Sequence, residues 1–151
     1  MIRLILVLIV VVAFLILSIP ILLVEWLIGK KNPKLRDESS LHIVQFILRL
    51  LQWLAGTKVT VIGEENVPKD IPVLYIGNHR SFFDIVITYA RCPRLTGYVA
   101  KDSLKKIPLL SIWMKRLYCL FLNRTDIKEG LKTEPESIAS CYLHMITKGV
   151  I

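Results

Sequence analysis

The chain has 151 residues, 54% of them hydrophobic, and a formal net charge of +8. One domain fits that length, and a mean hydropathy of +0.54 is more than a core alone absorbs, so part of the apolar surface is expected to face lipid. Beside a membrane segment, the surplus positive charge calls for an anionic bilayer surface or a phosphorylated metabolite and not for nucleic acid.

From Leu4 to Val24 every residue is apolar except Ser18, and none is charged. That run matches the roughly 20 residues needed to cross a hydrocarbon core and predicts a transmembrane anchor within residues 1–29. It is longer than the ~7–15 apolar residues of a secretory signal, and no small-x-small cleavage site follows it. Pro20 would kink the last turns, which a lipid-embedded helix tolerates. Lys30, Lys31, Lys34 and Arg36 follow the run and only Arg3 precedes it, so a single-pass protein with its main domain facing the cytoplasm is expected. Cys92, Cys119 and Cys141 are odd in number and lack any Cys-x-x-Cys spacing, in keeping with a reducing compartment and a role as buried apolar filler.

Residues 30–40 are polar and read as a linker. Between Leu41 and Gly56 the polar residues His42, Gln45, Arg49 and Gln52 recur at helical spacing, leaving a wide apolar face. That pattern predicts an amphipathic, membrane-associated helix over 41–56; a helix packed on the domain core has the same pattern. His42 belongs to the polar stripe and gives no sign of metal binding. After Gly56 the pattern changes to short strands, predicted at Lys58–Ile62, Val73–Gly77, Thr96–Ala100 and Tyr118–Leu122. Helices are predicted at Phe82–Ala90, Ile107–Leu117 and Pro135–Lys148, the last opened by Thr133 and Glu136 at capping-box spacing and closed by Gly149. Residues 57–151 therefore read as an α/β domain with a central sheet.

Chemistry concentrates after the second of these strands, in Gly77-Asn78-His79-Arg80-Ser81-Phe82-Phe83-Asp84. On one continuous helix, side chains five residues apart point about 140° apart, so a contact between His79 and Asp84 needs a bend, which a strand-to-helix turn supplies. If Ser81 caps the helix, Asp84 falls in its first turn, where the helix dipole favours the carboxylate. A carboxylate beside imidazole orients the ring and stabilises the imidazolium, as a general base requires. Ser81-x-x-Asp84 also reads as an ordinary capping box, with His79 structural. A Ser81 nucleophile lacks the Gly-x-Ser-x-Gly elbow.

Asn78-His79-x-x-x-x-Asp84 resembles the first signature of the 1-acylglycerol-3-phosphate (lysophosphatidate) acyltransferase family. Ala100-Lys101 through Lys106-Ile107-Pro108 resembles the stretch linking that family's first and second motifs. Phe121-Leu122-Asn123-Arg124 is similar to the second motif, which usually opens with glycine where this chain has Tyr118, and whose aspartate-like position is Asn123 here. The chain stops at Val150-Ile151, ahead of the family's third motif, Phe-Pro-Glu-Gly-Thr-Arg, and its later fourth, so a C-terminally truncated member with an incomplete sheet is expected.

The resemblance implies acyl transfer from acyl-CoA or acyl carrier protein to the free hydroxyl of lysophosphatidate, with no cofactor and no metal. His79 would deprotonate that hydroxyl and Asp84 would orient His79. Arg124 would pair with the acceptor's phosphate. Lys101, with Lys105, Lys106, Lys115 and Arg116, forms a basic cluster suited to phosphates or anionic lipid, or to a solvated face. A non-catalytic membrane-bound remnant that binds lipid or acyl carrier protein, and a membrane-anchored lipid or thioester hydrolase, are the alternatives.

Overall fold

An unbroken helix, α1 (Ile2–Lys31), opens the computed structural model, which describes residues 1–68, 71, 73, 75, 77 and 80–122. At 1.5 Å per residue it is about 45 Å long, more than the roughly 30 Å of a hydrocarbon core. It is long and apolar enough to cross a membrane. The stretch expected to be a linker is helical instead: apart from Asn32, it forms the end of α1 and the first turns of α2 (Pro33–Ala55). Local chemistry explains the restart. The Asn32 side chain accepts from the Leu35 N–H at 3.1 Å, and Pro33 occupies the first turn, where its missing N–H costs nothing. Gly56 ends α2 in the left-handed conformation (φ 70°), with the Thr57 N–H returning to the Gln52 carbonyl at 3.1 Å.

α2 runs back antiparallel along α1. The Arg3 guanidinium, near the start of α1, occupies the space a side chain at Gly56 would need, and Arg36 crosses over Gly29 at the other end. Between these points the Glu25 carboxylate accepts from Ser39 Oγ at 2.9 Å and Ser40 Oγ at 2.7 Å. The residues α1 buries are Ser18, Leu22 and Glu25, which lie on one stripe. Polar groups thus line the seam of the hairpin, while Leu4, Leu8, Leu17 and Leu23 point outward and are exposed. That is the reverse of a soluble helix pair and the arrangement suited to lipid outside. Lys30 stacks over the Trp26 ring at 3.7 Å, the aromatic and basic pairing favoured at a membrane interface.

The first compact unit spans Met1–Pro93 and, among the described residues, adds to the hairpin a 3₁₀ turn at Glu64–Asn66 and the helix α3 (Phe82–Tyr89). Its core is Leu22, Leu41, Leu51, Tyr89, Ala90 and Cys92. Lys58–Ile62, expected as a strand, runs as irregular chain with Ile62 exposed. Alternating pattern alone makes no strand, because ladder hydrogen bonds need a partner, and the described residues provide none there. The expected strand at 73–77 lies only partly within the described residues.

The second unit begins at Arg94. Its sheet is a parallel pair, β1 (Val99–Lys101) and β2 (Leu120–Leu122), in the register Val99 to Leu120 and Lys101 to Leu122. The crossover between them holds a 3₁₀ turn at Asp102–Lys106 and α4 (Leu110–Arg116). The helix expected at Ile107–Leu117 is shorter by a turn at its start, because Leu109 holds φ 60°, outside the helical region. Leu95, Ala100, Trp113, Leu117 and Phe121 form the core. Trp113 and, just past the end of α4, Leu117 stand one turn apart, and Ser111 is buried as well. The helix expected at Pro135–Lys148 lies outside the described residues.

Candidate active site

α3 is set up by its first turn. Ser81 is extended (φ −152°, ψ 163°) and serves as N-cap, its hydroxyl accepting from the Phe83 N–H at 3.0 Å. Asp84 stands at the third helical position and closes the capping box, its Oδ2 accepting from the Ser81 N–H at 2.8 Å and the Arg80 N–H at 2.6 Å. The half-buried carboxylate thus grips the backbone directly after His79 while sitting at the positive end of the α3 dipole. His79, like Asn78 and Arg124, lies outside the described residues.

The other end of α3 is held by α2. Gln52 Nε2 donates to the Val86 carbonyl at 2.7 Å. Gln45 Nε2 donates to the carbonyls of Cys92 at 2.7 Å and Tyr89 at 3.2 Å, and Arg49 Nε to that of Ala90 at 3.2 Å. The polar stripe of α2 therefore faces the domain's helix. Spacing reveals such a stripe but leaves open whether it meets the domain or the membrane interface.

A cavity of about 330 Å³ opens beside this contact, lined by Arg49, Gln52, Glu64, Ala90 and Arg91. Glu64 and Arg91 form a two-pronged ion pair at its rim. That hydrogen bond, more than the charge itself, raises the Arg91 guanidinium above its ordinary range. Tyr75 is also raised, first by partial burial and then by the charges of Cys92 and Glu64.

Lys101 ends β1 with its side chain exposed and belongs to the second unit, whereas Asp84 belongs to the first. In the basic cluster around Lys101, Lys105 pairs with Asp102 at 2.8 Å and lies 5.7 Å from the Phe121 ring centre, while Lys101, Lys106 and Lys115 are exposed. Among the described residues no group of three His, Cys, Asp or Glu side chains is placed to hold a metal ion. Tyr118 has φ 56°, in the left-handed region that glycine enters freely.

Residues 58–145 match the Acyltransferase family. Over 102 residues the chain is 34% identical to a 1-acyl-sn-glycerol-3-phosphate acyltransferase of Borreliella burgdorferi, covering 66% of this chain and 40% of that protein. It is 30% identical over 127 residues to a probable 1-acyl-sn-glycerol-3-phosphate acyltransferase of Mycoplasma pneumoniae, covering 76% of this chain and 47% of the relative. A Saccharomyces cerevisiae protein of the same name is 33% identical over 97 residues, covering 61% and 32%. The matched stretch spans less than half the length of each of these relatives. No solved structure matches the chain.

Proposed function

The chain belongs to the Acyltransferase family, and we propose that it transfers an acyl group from acyl-CoA or acyl carrier protein to the free hydroxyl of lysophosphatidate, giving phosphatidate. The observation that carries this reading is the family match over 58–145, which contains Asn78-His79-x-x-x-x-Asp84. His79 takes the hydroxyl proton as the oxygen attacks the thioester carbonyl. The carbon–sulfur bond breaks, and the proton passes to the departing thiolate. Asp84 orients the imidazole and stabilises its charged form, while Arg124 and Lys101 hold the acceptor's phosphate. No acyl-enzyme is needed.

The test is an acyl-transfer assay on the chain in detergent or vesicles, with labelled acyl-CoA or acyl carrier protein and lysophosphatidate. Labelled phosphatidate is expected. Free fatty acid as the product would make the protein a hydrolase, and binding of lipid or carrier without product would make it non-catalytic; either result overturns the proposal.

Membrane attachment is proposed through α1, with the acyltransferase domain on the cytoplasmic side. The length and outward leucines of α1 support attachment, and its length alone would allow the single crossing expected above. The return of α2 favours a different seat. A crossing α1 would draw Arg49 and its neighbours into hydrocarbon, at about 2.5–3.5 kcal/mol for a charge near the midplane. It would also bring the chain out of the hairpin at Gly56, beside Arg3, away from the Lys30–Arg36 cluster on which the orientation argument rests. With α1 in the interface plane both difficulties vanish. Single cysteines at Ile2→Cys and Lys31→Cys, with Cys92, Cys119 and Cys141 replaced by serine, should then react with an impermeant maleimide from the same face of sealed vesicles. Labelling from opposite faces would establish the crossing.

A further inference from the structure

α3 is too short to keep its own place. It has eight residues, where isolated helices need roughly 12–15 to be even marginal, and its last four carbonyls have no partner within the helix. Its N-terminal end carries the Ser81–Asp84 box. Its C-terminal end meets three side chains spaced i, i+4, i+7 on α2, which deliver four hydrogen bonds of 2.7–3.2 Å to the carbonyls of Val86, Tyr89, Ala90 and Cys92. Gln45, which makes two of them, is 5% exposed. Arg49 adds a positive charge where the α3 dipole is negative. The same α2 is tied on its other side to the apolar α1 through Ser39, Ser40 and Glu25.

We propose that Gln45, Arg49 and Gln52 are positioning residues for the acyl-transfer site: they hold the C-terminal end of α3 on the hairpin and so fix Asp84 at its other end. This rests on the acyltransferase reading above. α3 behaves as a short rod. Releasing one end tilts the other, and displacement of a catalytic group by about 1 Å costs on the order of 100-fold in rate. α2, tied to α1 on one side, thereby carries a polar stripe on the other because its task there is to seat another helix. None of the three side chains needs to touch substrate.

The experiment uses the whole chain in detergent with Gln45→Met and Gln52→Met, which remove the donors at nearly constant volume, and Gln52→Lys, which keeps one. Each methionine variant is expected to lower kcat by about 10–100-fold with KM changed less than threefold, and Gln52→Lys to restore most of the rate. Hydrogen exchange should quicken at the amides of residues 86–92 and stay unchanged at 99–101 and 120–122. Unaltered kcat and exchange in both methionine variants would overturn the proposal, as would faster exchange throughout the chain, which marks general destabilisation. Absence of acyl transfer by the unaltered protein would remove the enzymatic reading, while the exchange comparison would still decide whether α2 holds α3.

Discussion

Asp84→Asn is expected to lower acyl transfer by about 10²–10⁴-fold while the thermal midpoint hardly moves. The separation is possible because Asp84 has two tasks that asparagine divides. As a cap, Asp84 supplies one oxygen, Oδ2, to the N–H groups of Arg80 and Ser81. The amide oxygen of asparagine can accept both bonds, so the turn persists and only the dipole contribution, about 0.3–1 kcal/mol, is lost. As the partner proposed for His79, Asp84 supplies a charge, and asparagine has none. The imidazolium formed on proton abstraction then lacks its counter-ion. His79→Ala is expected to fall by a similar factor. If Asp84 were a capping residue alone, Asp84→Asn would retain near-normal turnover at an unchanged midpoint. That result, or substantial activity in His79→Ala, would sink the mechanism.

Gly97→Ala should damage the second unit, costing about 1–3 kcal/mol and lowering the thermal midpoint by roughly 2–10 °C. A methyl group at residue 97 would collide with the Tyr118 carbonyl oxygen and come within 3.1 Å of its carbon. Both atoms are backbone, so no side chain can swing aside. The collision occurs where the two strands begin their pairing: Leu120 N–H donates to the Tyr98 carbonyl at 2.9 Å, one residue after Gly97. Relieving it means opening β1 from β2 or distorting Tyr118, which already holds a left-handed backbone. Ser103→Ala, at an exposed position, is the control and should melt as the unaltered protein does. Equal midpoints for Gly97→Ala and Ser103→Ala would show that the two backbones do not meet as described.

Much of the local structure was legible. The apolar run from Leu4 to Val24 became the body of α1, Gly56 ended α2, and Ser81-x-x-Asp84 formed its box, because each signal works within a turn or two of itself. One legible signal was outweighed by composition. Asn32-Pro33 is an N-cap followed by the residue best suited to the first helical position, yet the charges and serines after it read as linker. Those polar residues are helical because the seam of the hairpin takes them: Ser40 is fully buried on Glu25 and Asp37 is 4% exposed beside Arg36. At Lys58–Ile62 alternation pointed to a strand, but alternation describes two faces and leaves the partner unspecified.

By itself, then, the sequence determined the apolar body of α1, the polar stripe of α2, how α3 is capped, and a motif that points to acyl transfer. Each of these depends on side chains within a few residues of one another. Tertiary structure alone decided that α2 folds back along α1, that its polar stripe seats α3, and that Gly97 passes against Tyr118. The donors on α2 and the carbonyls they reach are 34 to 47 residues apart, and hydrogen bonds over such distances in the chain follow from packing that no local pattern encodes.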